Sequence, residues 1–393
     1  MLLVLYRSVL MWAETPAAER RALCAGGAQE LSAPPGRAPL PQELTDAIRQ
    51  LCAVRTEPGR VRPPVVSRAC GAVSAWAERE EHTGTALLWA RAAASVYPPN
   101  VAAAYRVGIL ARRRADYPTA EAWLQHAGSM ARRHGNWYGF VLSLNSLGNL
   151  HAQHGEFDQA RAHLAKALFA ARRPRGRVAG GRKRLRIREG YVLHDLMTVS
   201  FDMGDFPRAE RYAAEAFERM PAGSRRLPVL AHDVAVLWMQ RGYFGRALPV
   251  LQAVLPFIRD QHERVLACCN LARCAGTDAD RDVYARAAAE VWGLVGDASA
   301  GSVPAIVFTN LARGAAGLRL WEEAEHAALL AAEAAAARQE ADQVAAVPPL
   351  LESIRLHRYA DTVPAPSSGA EERTSRSLAV GLVEALTALR AGE

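Results

Sequence analysis

The sequence lacks the short signatures of common catalytic sites. It has no H-E-x-x-H, no G-x-S-x-G, no phosphate-binding glycine loop and no dinucleotide fingerprint. Its six cysteines (Cys24, Cys52, Cys70, Cys268, Cys269 and Cys274) form no C-x-x-C pair, and no matching histidine pair follows them. A zinc site of the usual spacing is therefore not expected, and the thiols read as small buried side chains of a reducing, cytoplasmic compartment. Long hydrophobic runs are also missing. The opening MLLVLYRSVLMW is apolar over about twelve residues, but Arg7 interrupts it and no basic flank precedes it. It is too short to span a bilayer and reads as a helix docked on the body, so no membrane partner is expected. Lysine is nearly absent, at Lys166 and Lys183 only.

Half of the 393 residues are apolar, enough for a large core and against general disorder. The length is too great for one ordinary compact core and suits a repeat array or two domains. The net charge is +8, and its distribution is uneven. Residues 172–188 read RRPRGRVAGGRKRLRIR, with nine bases and no acid, so the rest of the chain carries about −1.

Internal repetition is the strongest signal. The clearest copy is LNSLGNLHAQHGEFDQARAHLAKALFAA, from Leu144 to Ala171. Leu144, Leu147, Gly148 and His151 share one face of a first helix. Gly155 and Glu156 make a turn, and Phe157, Ala160, Leu164 and Ala167 belong to a second helix. With Ala160 as anchor, equivalent alanines fall at Ala86, Ala120, Ala209, Ala247, Ala285 and Ala324. An aromatic recurs three residues before the anchor, at Tyr117, Phe157, Phe206, Phe244 and Trp321. Glycine recurs five before it, at Gly155, Gly204 and Gly242. Pro98 and Pro221 close two copies twelve residues after the anchor, where proline ends a helix.

This pattern resembles the tetratricopeptide repeat family over roughly two-thirds of the chain, Ser67 to Ala337. Most steps exceed the family's standard unit, as in the longer-helix variants of kinesin light chains and bacterial regulators such as the maltose activator. The resemblance implies an all-α, right-handed α-solenoid of about seven helix pairs, with terminal capping helices. Small anchors would mark where the two helices of a pair cross.

The domain expectation is N-terminal helices with a proline-rich linker over 1–66 and the solenoid over 67–360. A linker follows at 361–376 and a last helix at 377–393. Between the third and fourth anchors lie about ten extra residues, the basic run. Pro174, Gly176, Gly180 and Gly181 predict a mobile loop there. The last helix, with Leu378, Leu382, Leu386 and Leu389 on one stripe, is expected to cap the array or to pair with a partner.

In the family, the position fifteen residues before the anchor faces the groove. Here it reads Gly71, Tyr105, Asn145, His194, His232, Asn270 and Thr309. The next position supplies Arg106, Ser146, Asp195, Asp233, Leu271 and Asn310. One turn on come Ile109, Asn149, Thr198, Val236, Cys274 and Arg313. Amide, imidazole, carboxylate and guanidinium groups on one line suit an extended peptide, whose backbone needs partners throughout. Asn145 and Asn149 resemble the family's groove asparagines. The family's carboxylate clamp uses groove lysines, which this chain lacks.

The repeated His194–Asp195 and His232–Asp233 pairs read first as hydrogen-bonded neighbours and second as a metal or general-base site. The expected function is a non-catalytic, cytoplasmic adaptor or sensor of bacterial type that binds a protein or peptide, with no cofactor and no metal. The alternative is a regulator contacting nucleic acid through Arg175, Arg177, Arg182, Lys183, Arg184 and Arg186. No aromatic lies within the basic run to stack on bases.

Overall fold

A computed structural model describes residues 1–23, 40–174, 181–296, 300–361 and 369–392. They hold eighteen α-helices and no strand. The chain divides into two compact units, Met1–Asp195 and Leu196–Glu393.

In the first unit, α1 (Leu2–Glu14) buries Leu5, Val9 and Trp12, as its apolar stripe predicts. It packs on α2 (Gln42–Thr56) and α4 (Thr83–Val96). Tyr6 meets Trp89 edge-on with ring centroids 5.5 Å apart, and the Trp12 indole N–H donates to the Pro58 carbonyl at 2.8 Å. The helix pairs follow: α3 (Pro63–Arg79) with α4, α5 (Val101–Arg113) with α6 (Tyr117–Arg133), and α7 (Trp137–Gln153) with α8 (Phe157–Arg172). Helix α9 (Gly181–Asp202) crosses the boundary between the units.

The second unit contains α10 (Phe206–Arg219) and two helix pairs, α11 (Leu227–Gln240) with α12 (Phe244–Val254) and α13 (Gln261–Thr277) with α14 (Arg281–Val295). A third pair joins α15 (Ala305–Gly317) to α16 (Trp321–Arg338), followed by α17 (Ala341–Arg355) and α18 (Gly369–Ala391).

One turn geometry recurs through both units. The residue five before each crossing is left-handed, at Glu81, Ala115, Gly155, Gly204, Gly242, Ala279 and Arg319. Only three are glycine; the others carry a side chain in a conformation that costs about 1–2 kcal/mol. The next residue is the N-cap of the second helix, and Asp116, Asp205 and Asp280 there accept a backbone N–H into the side-chain carboxylate.

Six of the seven predicted anchors are fully buried: Ala86, Ala120, Ala160, Ala209, Ala247 and Ala324. Ala285 is not; it is exposed, and Tyr284 takes its place at 3% exposure. The copy has neither glycine nor aromatic at its turn, so the sequence pattern places it one residue late. The left-handed Ala279 and the cap Asp280 fix the true register. Glycine compensates for the bulk of Tyr284: a Cβ on Gly314 would come within 3.0 Å of its ring. The Tyr284 hydroxyl donates to Glu323 at 2.6 Å.

The ends also differ from expectation. Helix α18 begins at Gly369, so residues 369–376 are helical rather than linker. It does not cap the array. It lies on α10 and α12, with Gly381 against the Phe217 ring and Arg246 paired to Glu372 and Ser375. The cover on α16 is α17, through Val347, Leu350 and Ile354. Most of the proline-rich segment at 29–41 lies outside the described residues.

Cys52, Cys70, Cys268, Cys269 and Cys274 are free. Burial pushes the Cys70, Cys268 and Cys269 thiols up to about 12, and raises Cys274 as well. Ellman's reagent at pH 8 should therefore leave these four silent in the native protein and titrate them once guanidinium unfolds it. Rapid native reaction at any of the four, located by mass spectrometry of the alkylated peptides, would contradict this packing.

Candidate functional site

Within each unit, much of the polar row expected along the first helices is engaged with neighbouring side chains. In the first unit the Tyr105 hydroxyl and the Ser146 hydroxyl lie 3.0 Å apart, joining α5 to α7. Arg106 donates to Glu78 at 2.7 Å, and Arg113 pairs with the other oxygen of the same carboxylate. Asn145 and Asn149 both donate to one oxygen of Asp195, tying α7 to α9. The line is thus a ladder of hydrogen bonds between successive first helices as well as a surface. Asn145, Ser146 and His194 are buried, whereas Tyr105, Arg106, Asn149 and Asp195 remain half-buried.

In the second unit His232 lies 3.5 Å from its neighbour Asp233. Asn310 donates to Asn270 at 2.8 Å, linking α13 to α15. The corrected register moves Asn270 into line with Arg106, Ser146, Asp195, Asp233 and Asn310. It also replaces Cys274 by Arg273, beside Arg313. Cys274 is core. The buried Asn145 and Asn310 carbonyl oxygens have no hydrogen-bond partner among the described residues.

The strongest contact on this line was not foreseen. After α17 the chain runs without regular structure through 358–361 and returns to α13. There Asp361 accepts two hydrogen bonds from Arg273, at 3.0 and 2.7 Å, and one from the Thr277 hydroxyl at 3.2 Å. The Arg273 and Asp361 side chains are only 4% and 5% exposed. Phe244 lies under the guanidinium at 5.1 Å. Tyr359 sits beside the pair, and burial together with the Asp361 charge raises its phenol. Arg313 is next to them; burial and the adjacent Arg273 lower its pKa, and it has no ion pair among the described residues.

Residues 181–188 of the basic run are helix, not the loop expected there, while residues 175–180 lie outside the described residues. Helix α9 starts at Gly181, whose φ of +80° only glycine tolerates readily, so this glycine opens the helix instead of breaking it. Arg182, Lys183, Arg184 and Arg186 are exposed on that helix, which Leu185 and Glu189 anchor by burial. The i, i+4 spacing of Leu185 and Glu189 was the missed signal. Arg172 donates to Glu189 at 2.8 Å, and Arg184 and Arg188 lie over the Tyr138 ring at 4.3 and 5.8 Å. Arg175 and Arg177 lie outside the described residues. So the sequence holds no aromatic in the run, but the fold brings Tyr138 and Tyr191 to it.

Among the described residues no group of three or more histidine, cysteine, aspartate or glutamate side chains could hold a metal ion. No described helix is long and apolar enough to cross a membrane.

No family model matches the sequence, and no curated protein matches it. Solved structures do. The apo quorum sensor NprR from B. thuringiensis superposes with a TM-score of 0.52 at 10% identity, over 74% of this chain and 82% of that one. The APC/C assembly Cut9–Hcn1 gives 0.51 at 14% identity, over 79% of this chain but only 53% of the other, so this chain spans about half its length. A tetratricopeptide repeat protein from Parabacteroides merdae aligns at 15% identity over 74% of this chain and 98% of its own, with a TM-score of 0.44. Paired helices with small residues at their crossings, one recurrent turn and the two likenesses with TM-scores above 0.5 agree: the chain has the all-α solenoid fold of the tetratricopeptide repeat proteins.

Proposed function

We propose that this protein is a non-catalytic binding scaffold, an adaptor or sensor, that holds extended peptide segments of a partner along the polar first-helix row of each unit. The observation that carries this reading is Asp361. The line already holds one irregular stretch of chain, its own, by taking a carboxylate into Arg273 and Thr277. The same chemistry serves a segment supplied by another molecule, because an extended backbone exposes N–H and C=O groups that need partners along its length. Asn149 in the first unit, and His232, Asp233, Asn270 and Arg313 in the second, are half-buried on these rows. The free, deeply buried thiols fit a reducing compartment such as the cytoplasm. Both comparison structures with TM-scores above 0.5 support the fold alone.

Two variants test the reading. Asn145→Ala with Asn149→Ala removes two amides, and Arg313→Ala removes a cation that no described residue pairs with. Partner recovered by the wild-type chain should fall at least 10-fold with each, while helicity and melting of Arg313→Ala stay at wild-type values. Equal recovery of the same partner by all three proteins would refute peptide holding on this line.

A further inference from the structure

A second surface, apart from that line, also has the makings of a binding site. Between the end of α6, the start of α7 and the last two turns of α8 lies an open apolar cavity of about 480 Å³. Its floor is Trp137, Phe140 and Phe169, and its rim is Arg132, Lys166 and Arg173. No acid lines it. Arg132 and Lys166 make no ion pair or hydrogen bond with any described residue, and the contact of Arg173 is with the Phe169 ring, at 5.3 Å. Phe169 is 58% exposed, on the side of α8 away from the buried Leu164, Ala167, Leu168 and Ala171.

Cations at the ends of helices are ordinary, because the last carbonyls favour them, and that accounts for Arg132 and Arg173. It does not account for Lys166, which lies mid-helix, or for a phenylalanine left in water between them. An exposed aromatic costs burial free energy and returns it when something covers the ring.

We propose that this cavity binds an acidic amphipathic helix of a partner protein, with one large apolar side chain inserted onto Phe169 and carboxylates meeting the three cations. The charge pattern selects the sign of the ligand. The concave apolar floor selects a side chain: on a helix, carboxylates three or four positions either side of a leucine or phenylalanine ring it as these cations ring the cavity. A single-stranded nucleic acid would meet the cations and stack a base on the floor, and the oligouridylate arm below tests for it. Among the floor side chains only the Trp137 indole N–H can pair with a base edge, whereas the concave floor suits a whole apolar side chain. An anionic membrane, being flat, would not enter the hollow.

Fluorescence anisotropy of the full chain tests this, with a labelled helical peptide carrying a leucine stripe flanked by glutamates. Binding should saturate at low salt and weaken as salt rises. Lys166→Glu with Arg173→Glu should cost at least 10-fold in affinity and Phe169→Ser at least 5-fold. A peptide with glutamine in place of glutamate should not bind. Arg313→Ala should bind as wild type, which separates this site from the first-helix line. Lys166, Phe169 and Arg173 are exposed, and Phe169→Ser alone decides the matter should the charge reversal disturb folding. The proposal is overturned if Phe169→Ser binds the peptide like wild type. It is also overturned if oligouridylate or phosphatidylserine vesicles bind through Lys166 and Arg173 while the peptide does not.

Discussion

Replacing Asp361 by alanine should destabilise the second unit by about 3–5 kcal/mol, the usual cost of stranding one charge of a buried pair. Arg273 is 3% exposed, so without Asp361 its guanidinium has neither water nor a counterion. Thr277 and the Phe244 ring beneath cannot replace a carboxylate that accepts from both sides of the fork. The removal is not symmetrical with deleting the pair. Converting Arg273 to methionine together with Asp361 to leucine should recover most of the loss, because apolar groups of similar size need no counterion. Urea unfolding followed by circular dichroism measures both variants. If Asp361→Ala unfolds at the wild-type midpoint, the return of residues 358–361 onto α13 is not part of the native structure, and the observation behind the proposed function goes with it.

Gly276→Ala should destabilise by more than 2 kcal/mol, against the ordinary sign of such a change. In an open helix interior, glycine to alanine gains about 1 kcal/mol from backbone entropy alone. Here an added Cβ would sit 2.0 Å from the Gly314 carbonyl oxygen. A Cβ on Gly317 would come 2.7 Å from the Gly276 carbonyl oxygen, and one on Gly314 2.7 Å from that of Ala272, so α13 and α15 meet backbone to backbone. Backbone cannot move aside as a side-chain tip can, so the helices must separate and lose the packing between them. Gly71 in α3 is the control. Nothing stands within 4 Å of its would-be Cβ, and Gly71→Ala should stabilise by about 0.4–1 kcal/mol. Thermal melts of the two variants should therefore shift in opposite directions; a shared direction would show that α13 and α15 do not touch in this way.

Much of the fold is legible in the residues because each helix pair repeats one local solution. The left-handed turn, the capping aspartate and the small anchor all lie within six residues of each other. They are set by local backbone geometry, and so they recur at a readable spacing. The candidate site is less legible. Its row positions follow from the repeat spacing, yet Asn145 and Asn149 both donate to Asp195, which no single copy of the repeat reveals. The sixth pair was placed one residue late, and that slip hid Arg273. Once Tyr284 is accepted at the crossing, Arg273 falls in line with Asn149 and Arg313.

The sequence by itself determined the helical class, the crossing points of six pairs, the docked first helix and the polarity of the first-helix line. These follow from side-chain periodicity, which acts over one or two turns of chain. Only tertiary structure decided that Asp361 lies in Arg273, 88 positions away, that α18 rests on α10 and α12, and that Lys166 and Arg173 frame an exposed Phe169 beside Trp137. Such contacts depend on which surfaces meet after the helices stack. A long-range ion pair or a hollow between helices leaves no period in the chain from which it can be read.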